Sequence, residues 1–388
     1  MIQIITPDQV NFVADQFIHY YHQFETITDY QRFVRLQRTN KTEPVSSLFP
    51  PEDDFFSDWD MSPMDMEFEI HEVKESRYAP KDFNKYLDLI YSHANEKGIP
   101  GKRIQMVVTE KKTGSIVGLI HLASPIICIK PRNDNFGGIP DAHSVNRHMI
   151  MGNIIVPAQP FGFNYNGGKL IAALCCSHEI RERVMEKYPN TEIVAFETTS
   201  LYGSTKGMSM YDGMKPVLRH FGDTVSCFPP NINDTAFTDL DHYFADLNGG
   251  EPLIPNITPR PNNPKSPTTS RKMKSQNAMK AIVKRSCKKH GMTDKLAEFE
   301  AALVHGTNLT ERKRYYVCNY GYSNISDVIL RGAEPIVNPQ NWDKFYQENL
   351  INWWKGKAQR RWESLNQDGR LRTELEVWTR NPNIDIIR

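Results

Sequence analysis

The stretch NIIVPAQPFGFNYNGGKLIAALCCSHEIRERVMEKYPNTEIVAFET, residues 153–198, decides the fold class. Its apolar start, Asn153–Val156, stops at Pro157 and reads as a short strand. A glycine-bearing turn follows. Leu170, Ala173, Leu174, Ile180 and Val184 then form one stripe, which predicts a helix over Lys169–Tyr188. The segment Glu192–Thr198 is nearly all apolar until Glu197, as expected of a strand covered on both faces. Strand, helix and strand at this spacing imply a crossover between parallel strands.

Working outward, Ile104–Thr109 and Ile116–Leu122 flank the turn Lys112–Gly114 and read as a hairpin. Phe68, Ile70 and Val73 alternate with charged residues in a further strand, and Pro80 opens a helix expected to reach Asn95. Helical periodicity runs through residues 7–37, a short helix is expected over Ser144–Met151, and another from Ser209. Further helices are expected over Ser275–His290, Thr293–Val304 and Trp342–Leu365. The expected fold class is α/β (α+β), a mixed-sheet core with a helical N-terminal arm and a helical, basic C-terminal lobe. Composition places an acidic arm at 1–66, the core at 67–247, a Pro-, Asn- and Ser-rich linker at 248–274 and the basic lobe at 275–388.

The 388 residues carry a net charge of +1, so the whole-chain balance points to no partner. The distribution does. Glu43–Glu75 holds eleven acidic side chains against the single base Lys74, and Pro259–Thr293 holds ten basic side chains and no acidic one. The six cysteines show no paired spacing, and no secretory signal or long apolar run is present. These features predict a soluble protein of a reducing compartment, the cytoplasm. His121, His143, His148 and His178 match no ligand spacing, so no metal is expected, and His178 beside Glu179 is placed at the surface. Serine-hydrolase, zincin and P-loop signatures are absent from the sequence.

The turn Asn164–Lys169 admits two readings. Gly167 and Gly168 can make a tight corner, or they can let backbone N–H groups meet a phosphate at a helix start, with Lys169 adding charge. Glu197, at the carboxyl end of its strand, is either a general base or a structural hydrogen-bonding group. Tyr202, Ser204 and Lys206 follow it in a polar loop. Lys280, Lys284 and Lys288 fall at i, i+4 and i+8, a face suited to phosphates or to docking on the acidic segment. Lys355, Lys357, Arg360 and Arg361 interleave with Trp353, Trp354 and Trp362, a pattern suited to nucleic acid or to core packing.

The order of hairpin, strand, glycine turn, long helix, buried strand and Tyr-bearing segment resembles the GNAT superfamily of acyl-CoA-dependent N-acyltransferases. The resemblance implies that Asn164, Asn166, Gly167, Gly168 and Lys169 hold the coenzyme A phosphates. Here the turn lacks the family's Arg or Gln and its glycines are adjacent. Within SMYDGM, Ser209–Met214, Tyr211 is implied as the acid that protonates the departing thiolate, with Glu197 as the base. Backbone N–H groups near Val156–Ala158 would polarise the acyl carbonyl. A second resemblance, over roughly 104–225, is to a domain found in Druantia anti-phage systems and in related phage proteins. It is carried by IVGLIHLASP at 116–125, Arg132-Asn133-Asp134, Pro157 and ETTSLYGSTKGMSMYDGM at 197–214. Together these imply group transfer to an amine on or near nucleic acid, with acyl-CoA as cofactor and DNA as partner. The alternative is a non-catalytic nucleic-acid-binding protein on the same scaffold.

Overall fold

The structure, a computed structural model, describes residues 2–39, 54–73, 80–91, 101–200, 207–225, 229–232, 234–255, 269–310 and 312–376. In chain order it begins with α1 (Pro7–His22), α2 (Ile27–Thr39), β1 (Phe68–Glu72), α3 (Pro80–Ile90), β2 (Arg103–Glu110), β3 (Ile116–Ala123), α4 (Lys130–Phe136), α5 (Ala142–His148) and β4 (Met149–Pro157). Next come α6 (Phe161–Asn164), α7 (Gly167–Cys175), α8 (His178–Lys187), β5 (Ala195–Ser200), β6 (Arg219–Asp223), α9 (Asp234–Leu247), α10 (Thr269–Lys289) and α11 (Thr293–Asn308). The last elements are β7 (Arg314–Cys318), α12 (Ile325–Arg331), α13 (Pro339–Trp342) and α14 (Gln347–Gln367).

The chain forms two compact units, Met1–Arg32 with Ser226–Glu311, and Phe33–Val225 with Arg312–Arg388. This division departs from the four-part reading. The basic lobe is split: α10 and α11 share a unit with α1, whereas β7 and α14 belong with the sheet. Part of the acidic run, 43–53 and 74–75, and part of the linker, 256–268, lie outside the described residues.

In the helical unit, Thr6 and Gln9 form a reciprocal cap at the start of α1. Val10, Val13, Phe17 and Tyr21 are the buried face of that helix, and Phe299 and Ala302 of α11 and Met279 and Val283 of α10 are buried as well. Gly306 permits the close approach of α11 to α1, since a Cβ there would lie 2.7 Å from the Tyr21 ring. The Gln276 amide brackets Ile232, accepting from its N–H at 2.8 Å and donating to its carbonyl at 2.7 Å.

The second unit holds a seven-stranded sheet in the order β1-β2-β3-β4-β5-β7-β6. β4 and β5 run parallel and every other neighbouring pair is antiparallel. The hairpin and the parallel crossover match expectation. The helix expected over Lys169–Tyr188 breaks near Cys176, because the Ser177 hydroxyl accepts from Ile180 N–H at 3.2 Å and starts α8. The short helix expected over Ser144–Met151 starts two residues earlier, where Asp141 caps it, and yields to β4 at Met149. The helix expected from Ser209 is instead a turn at 210–213 that leads into β6. Periodicity over 7–37 resolves into two helices. The break spans Gln23–Thr26, where Thr26 caps α2 through Asp29.

One sheet face carries Ile120, Ile150, Phe196 and Tyr316 against Leu170, Leu174, Ile180 and Trp354 from α7, α8 and α14. The other face has two apolar clusters. One packs Val107, Leu119 and Ile154 against Phe83 and Leu87 of α3. The other packs Ala195, Tyr315 and Val317 against Val145, Val328 and Ile329 of α5 and α12. Among the described residues no helix is long and apolar enough to cross a membrane.

Candidate functional site

The glycine turn is a packed corner. Asn166 adopts a left-handed conformation, φ 53°, and turns the chain from α6 into α7. Gly167 and Gly168 are buried. A Cβ on Gly167 would lie 2.5 Å from the Phe161 ring, and one on Gly168 would overlap Met210 Sδ. α14 lies over this corner. The fully buried Trp354 donates its indole N–H to the carbonyls of Tyr165 at 3.0 Å and Asn166 at 3.3 Å. Asn166 Nδ2 donates to Lys357 O at 3.4 Å. Asn164 is also fully buried, and its amide clasps the backbone of Arg372, donating to its carbonyl at 2.7 Å and accepting from its N–H at 3.1 Å. Of the five residues expected to hold a donor, the two glycines and two asparagines serve close packing and backbone bracing.

Lys169 does something else. It is half-buried at the start of α7, and its amine is held below the usual lysine range by burial first, then by Lys357 and Arg361. Asp212 pulls the other way, although that carboxylate already receives Arg314 and the Tyr316 hydroxyl. Arg361 donates through Nε to Phe163 O and lies over the Phe163 ring at 4.6 Å. Its own pKa is lowered by burial and by Arg370 and Arg372. Lys357 lies over the Trp353 ring at 5.2 Å. One residue expected in a donor site thus stands at the corner that α14, bearing two residues expected in a nucleic-acid site, is bonded to.

The other basic residues are engaged differently. Lys355 donates to Met64 O at 2.8 Å, and Arg360 is exposed on α14. On α10, Lys280 is turned inward over the Phe17 ring at 5.5 Å, and burial pushes its amine down to about 8. Lys284 pairs with Glu300 at 2.9 Å, and Lys288 is exposed. The stripe is therefore not one open phosphate-facing surface.

Glu197 and Tyr211 are not brought together. Glu197 shares the sheet face that carries Ala195 of β5 and Tyr315 of β7. It is fully buried, with Arg132 Nη1 at 3.1 Å from Oε2 and the Tyr315 hydroxyl donating to the same oxygen. Burial raises its pKa, while Arg132 and Tyr315 draw it back. Tyr211 packs on the opposite face, edge-on to Tyr316 at 5.3 Å, within the cluster that holds Phe196. Burial first, then Cys175 and Cys176, raise its pKa, which makes it a poor proton donor. The N–H of Ala158, expected to polarise a carbonyl, donates to Val117 O at 2.9 Å.

The Arg132 partner of Glu197 and the Trp354 cover over the turn are distant in the chain, and no local pattern announces either. His178, expected at the surface, is buried, with its ring 4.0 Å from that of Trp342 and Nε2 at 3.0 Å from Trp342 O. Tyr202, Ser204 and Lys206, expected in a polar loop, lie outside the described residues. Among the described residues, no three His, Cys, Asp or Glu side chains are grouped to hold a metal ion.

A family model described as Druantia protein DruA matches residues 25–204. The match reaches further toward the N-terminus than the resemblance over 104–225 and stops short of Ser209–Met214. A curated protein, Druantia protein DruA of Escherichia coli (strain UMEA 4076-1), is 26% identical over 162 residues, which cover 38% of this chain and 39% of that protein. The matched region is thus well under half of that relative. No solved structure matches the chain. From α2 through β5, then, this chain is similar to Druantia protein DruA.

Proposed function

We propose that this chain is a nucleic-acid-binding protein of an anti-phage system, with a GNAT-like scaffold that serves binding rather than catalysis. The observation that carries the reading is that α14, which bears Lys357 and Arg361, is bonded at Asn166 and Phe163 to the covered corner from which Lys169 opens α7. Cations gathered at one point attract phosphates and release their counterions. The placement of Glu197 and Tyr211 on opposite sheet faces speaks against their acting on one substrate. The similarity to Druantia protein DruA supports the defence setting. DNA is the favoured partner.

A second reading, acyl-CoA-dependent transfer to an amine, is favoured by the sheet itself. The order β1-β2-β3-β4-β5-β7-β6 has one parallel pair, and that pairing ends at Gly152 and Thr198 while β4 runs on to Pro157. Diverging parallel strands can admit an extended donor between them.

Mobility shifts with single-stranded and duplex DNA, repeated across salt, test the first reading. The isosteric pair Glu197→Gln and Tyr211→Phe separates it from the second. The binding reading expects DNA affinity unchanged in that variant and no acyl-CoA heat by calorimetry in the wild type. Acyl-CoA binding, with an adduct formed by the wild type and lost in the variant, would overturn it.

A further inference from the structure

The geometry points to the terminal phosphomonoester of a nucleic-acid strand, rather than an internal diester, as the group taken by Lys169, Lys357 and Arg361. This inference rests on the nucleic-acid reading of the same residues. Three observations lead to it. First, the cations are gathered on one spot. Lys357 and Arg361 stand one turn apart on α14, which meets the corner where the Lys357 carbonyl accepts from Asn166 Nδ2 and Arg361 Nε donates to Phe163 O, and Lys169 opens α7 from that same corner. The Lys357 and Arg361 charges both lower the Lys169 pKa, after burial. Second, several flanking charges are already paired. Arg370 meets Asp368 at 2.7 Å, Arg372 meets Glu376 at 2.6 Å, Arg314 holds Asp212, and Lys355 is tied to Met64 O. Third, Trp353 lies under Lys357 on α14 and is partly exposed, so an aromatic edge adjoins the charged spot.

Each of these features suits a strand end. An internal diester carries one negative charge, whereas a phosphomonoester carries about −1.5 to −2 near neutral pH and offers three acceptor oxygens. Lys169 and Lys357 provide ammonium donors, and Arg361, with Nε committed to Phe163 O, retains its two Nη groups. The partly exposed Trp353 can contact the terminal base, a contact that tolerates any sequence. The same phosphomonoester chemistry occurs in free mononucleotides and in coenzyme A, so the source has to be separated by experiment.

Fluorescence anisotropy of the full chain with single-stranded DNA makes the test. The probes are a 5′-phosphorylated strand, a 3′-phosphorylated strand and a hydroxyl-ended strand lengthened to equal total charge. Adenosine 5′-monophosphate and coenzyme A serve as competitors. The expected result is roughly tenfold tighter binding of a phosphorylated end, the size of one added charge-assisted contact. Lys169→Gln should bring the phosphorylated and hydroxyl-ended strands toward equal affinity. Equal affinities in the wild type would overturn the inference and leave the nucleic-acid reading standing. Binding of no strand would overturn both. Displacement of the phosphorylated strand by coenzyme A or the mononucleotide at concentrations well below those at which an unlabelled phosphorylated strand displaces it would assign the spot to a free small anion and also overturn the inference.

Discussion

Arg132 Nη1 lies 3.1 Å from Glu197 Oε2, and neither side chain reaches solvent. A buried charge left alone is far more destabilising than a buried pair. Arg132→Met should therefore destabilise the protein by about 3–5 kcal/mol, and Arg132→Met with Glu197→Leu should recover most of that loss. Urea denaturation of the three proteins checks it. The single variant should also respond to pH. Burial raises the Glu197 pKa, and removing Arg132 removes the attraction that opposes this rise. The folded variant then holds a proton that the unfolded chain releases. Its stability is greatest below the ordinary carboxylate pKa and is lost as pH rises through the elevated one.

Gly167→Ala should destabilise more than Gly168→Ala. The first places a Cβ against the Phe161 ring and Gly162 backbone, whereas the second meets the movable end of Met210. Overpacking of the rigid kind costs about 1–3 kcal/mol. Thermal melts distinguish this from a phosphate cradle, for which either substitution would weaken ligand binding with little change in stability.

Trp354→Ala should cost about 3–5 kcal/mol, the usual range for emptying a buried aromatic site. Trp354→Phe keeps much of the volume but leaves the carbonyls of Tyr165 and Asn166 without the indole N–H. A loss of about 1–3 kcal/mol is expected for that variant. Chemical denaturation followed by far-UV circular dichroism checks both values.

His121 supplies an acid dependence. Burial, with a smaller contribution from Arg103, lowers its pKa to about 4 from 6.5. The unfolded chain therefore takes up a proton that the folded chain refuses. The contribution is full above about pH 6.5 and falls as pH drops toward about 4, by at most roughly 3 kcal/mol. His121→Phe should flatten the stability profile over that interval. Denaturation midpoints measured across pH test this.

Local signals make the hairpin and the β4–α7 crossover legible: alternation, a Lys-Thr-Gly turn and a helical stripe ending near a second apolar run. The break between α7 and α8 is also encoded locally, in Ser177 followed three residues later by Ile180, but a continuous periodic pattern obscures the cap. β7, RYYVC, is readable from its β-branched and aromatic residues, yet its place between β5 and β6 is not. The site depends on still longer reach. Nothing near Gly167 signals that Trp354 covers it, and nothing near Glu197 signals which arginine pairs with it. The basic stripe of α10 shows the opposite limit, because spacing locates one helix face without revealing that Lys280 points inward.

The salt dependence of single-stranded DNA binding tests the central claim most directly. Each phosphate neutralised contributes a slope of about 0.7 in log affinity against log salt for single strands. Compared with the wild type, Lys169→Gln, Lys357→Gln and Arg361→Gln combined should bind a phosphorylated strand more weakly and lower that slope by about 0.7, the share of the one terminal phosphate these residues take. Equal affinity and equal slope in the two proteins would contradict the assignment of nucleic acid to these residues.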